Sequence, residues 1–369
     1  MEDSQKKQEV STKDILKHYL SSIFIYGIIL LAITFCPAYS QTVEHSNFNY
    51  VIFFLIYYIC YIVFALPIYI YAKPKSILES RSITILNYFK RQFAKHETTE
   101  EWLQNIEPNQ NEKQALTIVF MQTFFGTYYI NLLCNKFLPS LEYDFQFLKE
   151  MFNQAINYVH SAGIWLGLLQ YIDDTTDMWL TIIFILTFII FAFSYLSETV
   201  FFKNKIKSID TTPLGIISNI MFFFPVTLLT NQLIFINNSS STPVNNLVLR
   251  TFLNLSILLV NLISLIAVIR LGTKSGNLTN RGIVTGFPYN IVRHPNYIME
   301  SFYILLTTIP IFLVSELLLI EKILLGISSL ILIFVLYLRA ITEERHLIKD
   351  PEYKAYMEKV KYRFIPKVF

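Results

Sequence analysis

Residues 302–338 read FYILLTTIPIFLVSELLLIEKILLGISSLILIFVLYL. Two apolar runs, each near the ~20 residues that cross a bilayer as a helix, flank the short tract SELLLIEK. A break that short sends the second run back beside the first. In lipid, a single pass must satisfy its own backbone hydrogen bonds, so both runs read as helices of one membrane hairpin.

Runs of the same kind recur along the chain. The spans read from the sequence are Leu20 to Ala38, Tyr50 to Ala72, Ala115 to Leu138, Met178 to Phe202, Pro213 to Ile236, Leu247 to Ile269, Tyr297 to Val314 and Leu317 to Leu338. Composition agrees: 53% of the 369 residues are hydrophobic and 15% charged, against ~25% charged in an ordinary globular domain. The net charge of +3 is too small for a nucleic-acid partner. Cys36, Cys60 and Cys134 lie in apolar runs and read as small hydrophobes, not as a disulfide or metal framework. Residues 1–19 form a polar segment of mixed charge, unlike a cleaved leader.

A ninth run, Ala155 to Ile172, carries Asn157, His160, Ser161 and Gln170. Lys and Arg collect on the cytoplasm-like side of short loops. The basic stretches are the N-terminus, the loop at 73–113, FKNKIKS, the loop from Arg270 to Arg293 and the C-terminal tail. Counting Ala155 to Ile172 as a re-entrant or surface helix puts them all on one side. Counting it as a ninth span does not. The expected fold is therefore an all-α polytopic membrane protein of about eight spans plus that helix. Its organisation is a polar segment at 1–19, a bundle at 20–270 and a C-terminal region at 271–369. Within the 73–113 loop, Ile83, Leu86, Phe89 and Phe93 share the spacing of an amphipathic surface helix.

The polar ends of the last hairpin face one compartment. SGNLTNRGIVTGFPYNIVRHPNY stands before it, and LRAITEERHLIKDPEYKAYMEKVKYRFIPKVF after it. Arg293, His294, Asn296, Tyr297 and Glu300 can then meet Arg339, Glu343 and Glu344. Pro295 can open a helix at its first position, where a missing N–H costs nothing. His294 and Asn296 would sit at its N-terminus, which favours anions. Ionisable groups at the edge of lipid need partners or a wet cavity. Interfacial anchoring explains KYRFIPK taken alone. It does not explain a glutamate pair facing an Arg-His pair.

TGFPYNIVRHPNY, two spans, then RAITEERHLIKDPEYKAYMEKVKYRFIP together resemble the signature of the isoprenylcysteine carboxyl methyltransferase superfamily. That superfamily also holds phospholipid methyltransferases and, more distantly, steroid 5α-reductases and sterol reductases. The resemblance covers the chain from Gly276 onward. It implies an S-adenosylmethionine pocket between the last hairpin and the tail, with Arg293, His294 and Glu344 as catalytic residues. The implied cofactor-binding set is Tyr289, His294, Tyr297, Glu300, Arg339, Glu343, Glu344, Tyr356 and Arg363. The methyl acceptor would be a lipid or a prenylated substrate. The chain departs from the family at Ile298 and Met299, where a small residue is usual, and its VTGFPY loop is one residue longer.

Two other readings stay open. The reductase branch would hold NADPH in the same pocket, and Glu300, three residues after Tyr297, suits it. Adenosylmethionine prefers aromatic and acidic walls, whereas NADPH phosphates need two or more cations. Alternatively the chain has no cofactor and is an accessory subunit of a larger membrane complex, with other membrane subunits as partners. The membrane would be that of the endoplasmic reticulum or the mitochondrial inner membrane. No metal motif is present. DDTTD, from Asp173 to Asp177, reads as a solvated turn, and the Asn-x-Ser/Thr triplets carry no structural weight.

Overall fold

In the computed structural model of the chain, the described residues are 10–35, 50–94, 98–140, 144–198, 202, 204–221, 223, 244–314 and 316–367. The protein is an all-α polytopic membrane protein. Among the described residues, seven helices are long and apolar enough to cross a bilayer. The eighth expected span, Pro213 to Ile236, starts as a helix at Pro213–Ile220 and otherwise lies mainly outside the described residues. The chain divides into two compact units, residues 1–127 and 128–369. This division falls well before the one drawn at residue 270 from the sequence.

In the first unit, α1 (Thr12–Phe35) and α2 (Tyr50–Ala72) pack together. α1 begins eight residues before the expected span. Ser11 and Asp14 exchange side-chain-to-backbone hydrogen bonds of 3.1 and 3.2 Å, which nucleates that early start. The pair is joined by hydroxyls donating to backbone carbonyls, Tyr19 to Ile62 at 2.6 Å and Tyr58 to Ile23 at 3.0 Å. The outward faces are apolar, with Ile56, Phe64 and Ile68 exposed. Cys60 lies on this surface, not in the interior expected for it.

α3 (Arg81–Gln92) and α4 (Thr99–Ile106) fill the polar loop. α3 turns Ser82 and Ile85 inward, against Ser22 and a cluster of Ile25 and Ala115. Phe89 and Phe93, read from the sequence as part of the apolar face of a surface helix, are exposed. α5 (Gln110–Leu132) follows and continues through one π turn to Ser140.

The second unit holds α6 (Asp144–Ala162), α7 (Ile164–Leu196), α8 (Pro213–Ile220), α9 (Leu247–Leu271), α10 (Pro295–Val314), α11 (Leu319–Leu347) and α12 (Pro351–Lys359). Ala155 to Ile172 is not one helix. It straddles Gly163, whose φ of +95° is a region that glycine enters without Cβ strain. The chain reverses there, and α6 packs along the start of α7. Gly167 allows the close approach, because a Cβ would lie 2.9 Å from the Val159 nitrogen.

DDTTD is also not a solvated turn. It is helical within α7, and Asp173 accepts from Arg250 at 2.8 Å and from Asn254 at 2.8 Å. These bonds tie α7 to α9 where an unpaired carboxylate would be costly. Next in contact order come α9 with α10 and α10 with α11, the hairpin read from 302–338. A two-residue ribbon, β1 (Ser208–Ile209) with β2 (Thr279–Asn280), runs antiparallel beside the end of the hairpin's return helix. His346 of that helix bonds Ser208 at 3.0 Å, and Asp350 accepts from Asn280 at 2.8 Å.

Candidate functional site

Pro295 is the first residue of α10, so the preceding Arg293 and His294 lie in the loop that enters it. Their backbone N–H groups donate to the carbonyls of Tyr362 and Arg363, each at 3.0 Å. The tail is thereby laid against the motif loop. α11 approaches from the other side and brings Glu343 and Glu344 to its last turn.

Glu344 is buried and fully engaged. Its Oε1 accepts from Arg293 Nε at 2.7 Å and from His294 Nε2 at 3.1 Å. Its Oε2 accepts from Arg363 at 2.7 and 3.0 Å. A carboxylate only accepts, so the His294 proton at this contact sits on Nε2. The remaining terminal nitrogen of Arg293, Nη1, donates to the carbonyls of Val360 and Lys361 at 2.9 and 2.6 Å. One carboxylate therefore joins the motif loop, the returning helix and the tail. The bond to Glu344 pushes the Arg363 guanidinium further up from its ordinary value.

Glu343 differs. Its side chain is 26% exposed, and His294 Nδ1 stands 3.8 Å away. The Tyr297 hydroxyl donates to its Oε2 at 2.9 Å. Its Oε1 has no hydrogen-bond partner among the described residues. Aromatic rings stand beside it: His294 stacks on Tyr297 with centroids 5.4 Å apart, and Phe364 is 6.0 Å from both His294 and Tyr337. Tyr337 did not stand out in the sequence, and no ring contact was read for Phe364 in the tail expected to close the pocket. Its pairing of Arg363 with Phe364 two residues before a proline is the signal that was available.

Other expected members lie apart from this pair. Glu300 accepts from Asn296 at 2.7 Å, and Asn296 in turn accepts from Ser264 of α9. Arg339 does not face the motif loop through any hydrogen bond. Its guanidinium caps the end of α8, donating to the carbonyls of Ser218 at 2.7 Å and Asn219 at 3.3 Å. It also lies 5.1 Å over the Phe223 ring. Tyr289 and Tyr356 belong to an apolar core with Ala267, Leu347, Tyr353 and Val360. The Tyr356 hydroxyl donates to the Tyr289 carbonyl at 2.7 Å. Burial pushes the Tyr289 and Tyr356 phenols up. In the same core the buried Tyr353 hydroxyl has no hydrogen-bond partner among the described residues, and burial beside the charges of Glu344 and Glu343 holds its phenol far above the ordinary value.

The donor set fits a cationic ligand. Glu343 and the His294, Tyr297 and Phe364 rings offer an acidic, aromatic wall. The guanidinium of Arg293 is engaged by Glu344 and two carbonyls, and that of Arg339 by α8, so neither stands ready for a phosphate. Among the described residues, no cluster of histidine, cysteine and carboxylates could hold a metal. No family model, curated protein or solved structure matches this chain.

Proposed function

We propose that this chain is an integral-membrane methyltransferase that takes its methyl group from S-adenosylmethionine and delivers it to a lipid or prenylated acceptor. The observation that carries the reading is the contrast within the glutamate pair. Glu344 gathers the nearby cations, which leaves Glu343 as a half-buried acid beside stacked aromatic rings. Such a wall favours a sulfonium over a pyridine dinucleotide, whose phosphates would need cations.

S-adenosylmethionine supplies an electrophilic methyl group on a good leaving group. The chain's own contribution is to bind and orient. Glu343 would hold the ammonium or hydroxyl groups, and Tyr297 fixes the carboxylate that does so. His294 stacks on Tyr297 and is held by Glu344, so its ring cannot turn without breaking a buried bond. The Tyr353 hydroxyl is a donor still lacking an acceptor. Acceptor and donor would meet at the edge of the membrane, where a lipophilic substrate can enter sideways. The proposed membrane is that of the endoplasmic reticulum or the mitochondrial inner membrane, which tagged-protein imaging distinguishes.

Thermal unfolding with S-adenosylhomocysteine and, separately, with NADP tests this. A ligand at a hundred times its Kd adds about 2.7 kcal/mol. Stabilisation by S-adenosylhomocysteine alone is expected. Stabilisation by NADP alone would transfer the proposal to the reductase branch.

One observation favours a second reading, an accessory subunit within a membrane complex. The clasp around Glu344 is complete without any ligand, and Ile298 and Met299 occupy positions where a small residue is usual in the family it resembles. Failure of both ligands to shift unfolding, with no gain from Met299→Gly, supports that role.

A further inference from the structure

A second polar feature lies at the end of α9. From Arg270 to Arg293 the chain carries four cations, Arg270, Lys274, Arg281 and Arg293, and no Asp or Glu. Arg281 is buried, donating to the carbonyl of Ser194 at 2.8 Å. Arg293 belongs to the clasp. Arg270 and Lys274 have neither role. They line an open depression with Thr273, Thr285 and the partly buried Ile283 and Val284. Among the described residues neither makes an ion pair or a side-chain hydrogen bond.

The depression is shaped by glycines. Gly272 and Gly282 have φ of +54° and +99°, which lets the chain turn tightly on both of its sides. A Cβ on Gly286 would collide with the Arg270 guanidinium, and one on Gly282 would lie 3.3 Å from Lys274 Nζ. The guanidinium thus lies close against the backbone at Gly286.

We propose that Arg270 and Lys274, with the hydroxyl of Thr285, bind the phosphate of an anionic phospholipid headgroup. The chemistry recognised is a phosphate ester: two cations and a hydroxyl donor suit its oxygens. The position selects the lipid source. α9 is apolar over nearly its whole length, so Arg270 and Lys274 stand at the depth of headgroups, where basic pockets between spans hold anionic lipids. The following loop exposes Phe287 and Ile291, apolar side chains suited to the acyl boundary. This inference does not depend on the methyltransferase reading.

The test uses the full-length protein in nanodiscs of phosphatidylcholine containing a minor share of phosphatidylglycerol. Native mass spectrometry then counts the lipids that stay bound. Wild type should retain phosphatidylglycerol in preference to phosphatidylcholine. Arg270→Gln or Lys274→Gln should each lower that preference about fivefold, and the double variant roughly thirtyfold. Gly286→Ala keeps both charges but displaces the guanidinium, and should lower it as Arg270→Gln does. Lys367→Gln should leave it unchanged. No preference in wild type, or a preference surviving in the double variant, would overturn the proposal. Loss of bound lipid to millimolar glycerol 3-phosphate would overturn the lipid source in favour of a soluble phosphate ester. If the double variant does not fold, wild type and Gly286→Ala decide.

Discussion

The hairpin of α1 and α2 and the hairpin of α10 and α11 solve the same packing problem by different means. The first is joined by tyrosine hydroxyls on backbone carbonyls. The second ends in two guanidiniums and an imidazole around one carboxylate. Hydroxyl-to-carbonyl bonds hold two helices together cheaply, since neither partner carries a charge to desolvate. A buried ion cluster is a costly way to do the same job. Its presence at one end of one hairpin therefore points to a task beyond packing.

Substitutions at these two ends separate the two designs. The largest effect is expected at Glu344. Glu344→Gln leaves Arg293 and Arg363 without their counter-charge, and should destabilise the second unit by about 3–5 kcal/mol. Chemical unfolding in detergent measures it. A change below about 1 kcal/mol would mean the cluster is solvated and the contrast false. Next comes Glu343→Gln. It should alter unfolding by less than about 1 kcal/mol, yet abolish stabilisation by S-adenosylhomocysteine. Equal effects on both readouts would make the two glutamates one structural unit.

In the first hairpin, Tyr19→Phe removes one hydroxyl bond to the Ile62 carbonyl and should cost about 1 kcal/mol. A loss matching that of Glu344→Gln would erase the difference between the hairpins. The smallest effect concerns pH. The Asn280 amide holds the Asp350 carboxyl below its ordinary 3.8, against the opposing effect of burial. A depressed folded value means that its contribution is complete above pH 3.8 and fades as pH falls through the lower folded value. Asp350→Asn should flatten the acid limb of the unfolding profile below pH 3.8 and leave neutral pH nearly unchanged.

Much of this was legible from apolar run length, because a bilayer accepts few alternatives to a helix. Runs could not show where a helix begins: the Ser11–Asp14 cap starts α1 in polar sequence. Nor could they show a reversal made by one glycine, since Gly163 interrupts no apolar pattern. At the site, Arg293, His294 and Glu344 could be grouped because a hairpin returns its own ends together. Arg339 could not be assigned. Its partners are backbone carbonyls of α8, 121 positions away in the case of Ser218, and carbonyls leave no mark in the sequence. Arg363 was grouped with ligand-binding residues through the family likeness. Which of two adjacent glutamates it bonds depends on the rotation of α11 about its axis.

The three-way attachment of Glu344 also shapes how this chain can change over generations. A residue with one partner can be exchanged by a single compensating step. Glu344 is bound by three side chains from two other segments, so a replacement is tolerated only if Arg293, His294 and Arg363 change with it. Glu343 carries one such debt, to Tyr297. Among descendants of this gene, position 344 should therefore stay locked to 293 and 363. Position 343 should drift with whatever molecule each lineage comes to hold.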